Sequence, residues 1–382
     1  GNGDGDDTDP QERGGDNRQE SAPAGRDGAG GTDANQLNAE KIAAYYSLLL
    51  FFAFLTDETV TCLEDIIKVM ETTAENRRIS AALALDREAL RLLQTHLNTL
   101  ILNKLDYTIH KTNKLGNDPA KSPQERAEKA LAKFGRMSES EVVTPQYIAR
   151  EMVEELPADL FERGPVLDIA SKQGEFAVAL KNRFGQAASG KVYSVCTTPL
   201  ALEFTRKVYK LLGEPVNHIY DTFTSYDIID KDKKDNILST LKEMRFAATI
   251  GNPPYHTEGD NTRKSPLYHL FYDASFEITP ITTLITPGRY LYKGGQTPSA
   301  WITKILSDTH FRVVNFYRKG DDVFSDANIK GGVAIGFRDA KNECGAIEFF
   351  SDFSELTSIK NRIAKHPDFK IGAFSKIVSS QG

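Results

Sequence analysis

The residues most able to do chemistry are Asn252-Pro253-Pro254-Tyr255. They follow the apolar run Ala247 to Gly251, which reads as a buried strand. Two prolines remove two backbone donors and stiffen the loop. The Asn252 side-chain oxygen and the Pro253 carbonyl then stand as two fixed acceptors, and Tyr255 adds a flat ring. Two acceptors and a stacking face suit a planar amine. A tight turn after a strand is the bland alternative for the same tetrapeptide.

A second run, Val166-Leu167-Asp168-Ile169-Ala170-Ser171-Lys172-Gln173-Gly174-Glu175-Phe176, is an apolar strand, a small-residue turn with one glycine, and a helix expected over Phe176–Phe184. That is the first strand–helix turn of a nucleotide-type fold, where backbone N–H groups approach a ligand. The interval from Asp168 to Asn252 has room for three strand–helix units, which puts the two turns on strands one and four. Those strands flank the switch point of a doubly wound sheet. Third, Glu141-Val142-Val143-Thr144-Pro145 precedes Ile148, Met152 and Val153 on one helical face. Thr144 is placed to cap that helix with Pro145 at its first position, or to meet a ligand.

These turns need a scaffold. Short β-branched runs alternate with helical stretches at 165–169, 192–196, 218–220, 247–250, 281–286, 313–317 and 332–337. Such alternation predicts an α/β, doubly wound, mostly parallel sheet of about seven strands. Before it, Ile42–Leu55 reads as a buried helix, too short for a membrane span of about 20 residues. Thr59–Thr72 and Asp86–Lys111 show helical spacing, and Leu90, Leu93, Leu97, Leu100, Ile101 and Leu105 are expected on one apolar face. Leu115–Pro123 reads as a linker, and Arg126–Phe134 as one more helix.

Residues 1–35 lack aromatics and Val, Ile, Leu and Met, and are expected to be disordered. Their nine acidic residues and three arginines account for the whole net charge of −6, so the rest of the chain is balanced. The expected division is a tail over 1–35, a helical bundle over 36–137, the sheet domain over 138–345, and the start of a further region over 346–382. Three scattered cysteines point to a reducing, cytoplasmic setting. There is no HExxH, GxSxG or Walker A motif, which leaves no visible zinc-hydrolase, serine-hydrolase or ATPase site. Asp321, Asp322 and Asp326 do not have the spacing of a calcium loop.

In this order, Thr-Pro before a helix, Asp-x-x-x-x-x-Gly-x-Phe and Asn-Pro-Pro-Tyr resemble the S-adenosylmethionine-dependent adenine-specific DNA methyltransferases of restriction–modification systems, in their gamma arrangement. The likeness extends to the segments 203–209, 223–227 and 329–333, which resemble a subgroup within larger restriction–modification polypeptides. The chain is accordingly expected to be a piece of one. The resemblance implies S-adenosylmethionine as cofactor, with Thr144, Pro145, Asp168, Ile169, Ala170, Gly174, Glu175, Phe176 and Thr197 around it. It implies Asp221 or Phe223 beside the cofactor's adenine ring or the target base. It gives Asn252, Pro253, Pro254 and Tyr255 the target amine.

Two residues depart from the family pattern. Lys172 stands where the first glycine is usual, and Cys196-Thr197-Thr198 lacks the usual acid at the end of strand two. Thr197, Thr198 or Glu175 is left to serve the ribose. The implied partner is double-stranded DNA; Arg263, Lys264, Arg289, Lys293, Arg318, Lys319 and Lys330 read either as phosphate contacts or as scattered solvated charge, and Tyr290 and Tyr292 beside Arg289 and Lys293 equally as a strand edge. A fused or associated nuclease, helicase or target-recognition domain is implied as well, and no membrane. The alternative is a non-catalytic DNA-binding or scaffold module keeping the fold, or an amino-methyltransferase acting on cytosine N4, RNA or protein glutamine.

Overall fold

A computed structural model describes residues 39–135, 143–256, 265–324 and 329–347, and single residues between 350 and 359. The tail over 1–35 and most of the region after 346 lie outside the described residues, as do Glu141, Val142, Arg263, Lys264 and Asp326.

Six helices come first: α1 (Ala39–Leu55), α2 (Leu63–Val69), α3 (Ala74–Ala82), α4 (Arg87–His96), α5 (Thr99–Asn117) and α6 (Pro123–Lys133). Two sequence expectations are corrected here. The stretch expected as one helix over 86–111 is two, because the Asn98 side chain accepts from Ile101 N–H and starts α5 afresh after Leu97 turns extended. The break rotates the second half. Leu90, Leu93 and Leu105 are buried, whereas Leu100 is 80% and Ile101 45% exposed. The expected linker over 115–123 is present but shorter, a turn over 118–122. α5 runs to Asn117, and a Ser122/Glu125 capping box with Pro123 at the first position opens α6 after a short turn. Helix α3 gave no apolar period, since only Asn76, Ile79 and Ser80 of it are buried.

Then follow α7 (Gln146–Glu154), α8 (Leu160–Arg163), β1 (Val166–Ser171), α9 (Glu175–Phe184), β2 (Val192–Cys196), α10 (Pro199–Leu212), β3 (Ile219–Tyr220), α11 (Ser225–Ile228), α12 (Lys234–Glu243), β4 (Ala248–Gly251), α13 (Tyr268–Ile278), β5 (Ile281–Pro287), α14 (Ser299–Ser307), β6 (Phe311–Tyr317) and β7 (Val333–Asp339). The seven strands form one sheet in the order β3-β2-β1-β4-β5-β7-β6. The first five are parallel, and β7 runs antiparallel between β5 and β6. Strand alternation sends Val166 to one face, with Met152, Phe176, Leu180 and Val208, and Leu167 to the other, with Leu241, Phe271 and Ile305. All seven expected strands are present. The order in which strands are added reverses between the parallel neighbours β1 and β4, so the turns after these two strands open into the same crevice.

The helical unit packs on α10. Phe204 sits among Phe51, Phe54 and Phe134 with ring centroids 5.3–5.5 Å away. Lys207, 4% exposed, donates to Asp57 at 2.7 Å and to the Thr56 carbonyl at 3.2 Å. Among the described residues no helix is long and apolar enough to cross a membrane.

Candidate active site

Asp168 is fully buried on β1, opposite Ser194 of β2 and Ile250 of β4. One of its oxygens accepts from the Ala170 N–H at 3.2 Å, and the other has no partner. Burial, and then the charge of nearby Glu175, hold the Asp168 carboxyl well above the usual carboxylate range.

The turn that follows is closed by its own side chains. Ser171 Oγ accepts from the Gly174 N–H at 3.1 Å, and a Glu175 oxygen accepts from Gln173 N–H at 2.9 Å and Lys172 N–H at 3.4 Å. Gly174 has φ +72°, and a Cβ there would stand 3.1 Å from Val208 Cγ1, so the turn needs glycine both for its backbone and for α10's approach. The Gln173 amide donates to the Phe134 carbonyl, joining the turn to the end of α6. Thr205 of α10 meets Ser171 at 3.2 Å.

Asn252 follows β4 and is 2% exposed. The Gly251 before it has room for no side chain, because a Cβ would lie 2.9 Å from Ile169 Cγ2. Pro253 is buried, whereas Pro254 and Tyr255 are half-buried. The Tyr255 hydroxyl is buried without a partner and its ring packs edge-on to Phe324 at 6.3 Å, leaving part of the ring open. Burial holds that phenol neutral, well above its ordinary pKa. The β1 and β4 turns touch directly, with Lys172 Nζ 2.6 Å from the Asn252 carbonyl oxygen.

The remaining expected residues divide. Thr144 does not cap α7. Pro145 is the N-cap, so Thr144 lies one residue outside the helix, buried, with its hydroxyl unpartnered. Ile169, Ala170, Glu175 and Phe176 are buried around the β1 turn, and Thr197 donates its N–H to Ser171 O at 3.2 Å. Thr198 instead caps α10 through Ala201 N–H. Asp221 stands apart, 55% exposed and paired with Arg206 at 2.8 Å, and Phe223 packs on Tyr220.

Segment 203–209 has a structural reading. Glu203 and Arg206 pair, and Phe204 and Lys207 hold the helical unit. Thr205 and Val208 back the β1 turn, and Tyr209 bonds Ser194. Thr224 and Asp227 form a capping box for α11, and Gly332, at φ +73°, lets β7 start against Tyr317 O.

Lys293, Arg318, Lys319 and Lys330 are exposed, and the topology places all four at the end of the sheet where Asn252 lies. Arg289 packs beneath Gly295 and Gly331, and Tyr290 is core. Asp322 gives its carbonyl to Tyr147, and no group able to hold a metal ion is present among the described residues.

A seven-stranded sheet in this order, with an Asp-bearing first strand and a buried Asn-Pro-Pro-Tyr after the fourth, is a class I S-adenosylmethionine-dependent methyltransferase fold. Residues 175–324 match the model of the Eco57I restriction-modification methylase family. Among solved structures, the type I restriction-modification methyltransferase subunit from Streptococcus thermophilus is similar at 13% identity, over 87% of this chain and 90% of that one, with a TM-score of 0.49. A type I restriction-modification complex matches at 15% identity over 85% and 78%, with a TM-score of 0.47. The DrdV–DNA complex matches at 14% identity over 78% of this chain and 36% of that one, with a TM-score of 0.48. No curated protein sequence matches the chain.

S-adenosylmethionine is the cofactor of such a domain. The residues present fit it. Asp168 Oδ2, Glu175 Oε1 and Thr144 Oγ1 are buried acceptors without partners. Buried acceptors of that kind suit a cationic, hydrogen-bond-donating ligand.

Proposed function

We propose that the chain is a site-specific DNA adenine-N6 methyltransferase, the modification component of a restriction–modification system. The observation that carries the reading is the placement of Asn252–Tyr255 at the end of β4, with Asn252 buried and bonded to the β1 turn across the switch point. The cofactor supplies a sulfonium methyl as electrophile. Asp168, Gly174, Glu175 and Thr144 are the residues that would hold it.

The remaining work is binding and orientation. The Asn252 side-chain oxygen and the Pro253 carbonyl accept the two N–H bonds of the target amine. This draws the nitrogen toward a tetrahedral shape and stabilises the positive charge that develops on it. The partly open Tyr255 ring stacks on the target. A base in a duplex reaches such a turn only by leaving the helix, at a cost of a few kcal/mol that stacking partly offsets. Lys293, Arg318, Lys319 and Lys330 face the same side as Asn252 and serve the phosphates.

The test is transfer of tritiated methyl from S-adenosylmethionine to DNA, RNA and protein, followed by nucleoside analysis. Label in N6-methyldeoxyadenosine is expected. Label in N4-methyldeoxycytidine, RNA or protein overturns the substrate. A folded protein that takes up no cofactor at millimolar concentration overturns the enzyme in favour of a scaffold.

Cofactor affinity should depend on pH through Asp168. Burial, and then Glu175, favour the protonated form of its carboxyl in the free protein. A cationic ligand favours the ionised form, so binding expels that proton. Affinity then rises with pH, by up to about tenfold per unit, from the ordinary carboxylate value near about 4 up to the raised one. Calorimetry in two buffers of different ionisation enthalpy should register proton release. Affinity that is flat or falls with pH would contradict this.

A further inference from the structure

Lys172 is 4% exposed, and its ammonium is directed to the Asn252 carbonyl oxygen at 2.6 Å. The β1 turn does not need that ammonium to close, since Ser171 Oγ and a Glu175 oxygen already take the N–H groups of Lys172, Gln173 and Gly174. Burying a lysine costs side-chain entropy and desolvation. Asp168 lies close enough that the Lys172 charge favours the ionised form of that carboxyl, against the larger opposing effects of burial and Glu175.

The oxygen it holds belongs to the Asn252–Pro253 peptide, whose nitrogen carries no hydrogen. With the proline ring fixing φ of Pro253, the plane of this peptide sets the direction of the Pro253 carbonyl and the root of the Asn252 side chain. A charge-assisted bond from a buried ammonium is among the stronger ways to fix such a plane.

We propose that Lys172 is a positioning residue, a clamp that ties the cofactor turn to the Asn252–Pro253 peptide and holds both amine acceptors in their working direction. The proposal rests on the reading of Asn252–Tyr255 as the amine-binding turn. Lys172 thus replaces a small residue with a connection between the two halves of the site, and its presence is no sign of decay.

The test compares wild type with Lys172→Met, which keeps length and loses the donor, and Lys172→Arg, which restores one. In the free protein, amide hydrogen exchange at Asn252 and Tyr255 should quicken in Lys172→Met and return toward wild type in Lys172→Arg. With unmethylated genomic DNA of mixed sequence, kcat should fall about 10²-fold in Lys172→Met, as expected for a small misplacement of reacting groups. KM for DNA and Kd for S-adenosylmethionine should stay within about threefold, because the clamp is not the binding site for either.

Unchanged exchange and unchanged kcat overturn the clamp. Loss of cofactor affinity that accounts for the fall in rate overturns it as well, by making Lys172 a cofactor residue. If Lys172→Met does not fold, as judged by circular dichroism, Lys172→Leu, which also lacks a donor, carries the same comparison. If wild type transfers no methyl group, the functional reading fails, while the exchange measurement still decides the clamp.

Discussion

Replacing Asn252 with alanine is expected to lower kcat about 10²–10³-fold, corresponding to about 3–4 kcal/mol of lost transition-state stabilisation. Asn252 is 2% exposed, and its carboxamide oxygen is one of the two acceptors the reading assigns to the target amine, in a turn where Pro253 and Pro254 offer no competing N–H. Its backbone carbonyl is already engaged by Lys172, so the side chain must do the gripping. The cofactor's unpartnered acceptors lie on Asp168, Glu175 and Thr144, none of which the substitution removes. Kd for S-adenosylmethionine by calorimetry should therefore stay within about threefold, and the loss should fall on kcat, the pattern of an interaction made mainly in the transition state. A parallel loss of cofactor binding would mean that the pocket is misplaced.

The second large effect is on stability. Phe204→Ala should cost about 3–5 kcal/mol, the usual range for truncating a fully buried phenylalanine. Phe204 is 0% exposed and joins α10 to α1 and α6 through Phe51, Phe54 and Phe134. The same helix backs the cofactor turn through Thr205 and Val208, and Phe134 supplies the carbonyl that holds Gln173. Loosening this contact should then weaken cofactor binding without touching any residue that would meet the cofactor. Urea denaturation followed by circular dichroism checks the first effect and calorimetry the second. A loss below about 1 kcal/mol would mean that the helical unit and the sheet are energetically independent.

Much of this architecture was legible in the residues. The seven strands announced themselves as β-branched runs between helical stretches, and the sheet order put Asp168 and Asn252 on neighbouring strands as their spacing required. What escaped the sequence was anything set by packing across long separations. The β1 turn rests on Phe134 and Thr205, which lie dozens of residues away, and no local pattern marks such a pairing. Leu100 and Ile101 misled because the helical period was carried through Leu97, where the chain breaks and Asn98 caps a new helix. Thr144 carried two readings. Its sequence context allowed a cap or a ligand contact, and the structure removes the cap and leaves the buried hydroxyl without a partner. Lys172 was visible as an odd residue in a small-residue turn, but its partner on β4 was not.

The central claim is that one crevice, between the turns after β1 and β4, brings the methyl donor to the acceptors of Asn252 and Pro253. A crystal structure of the protein with S-adenosylhomocysteine tests it most directly. The account predicts the ligand against Asp168 and Gly174, with its sulfur toward Asn252 and the Asn252 carboxamide turned to meet it. A ligand seated elsewhere, or an Asn252 carboxamide pointing away from that sulfur, would contradict it.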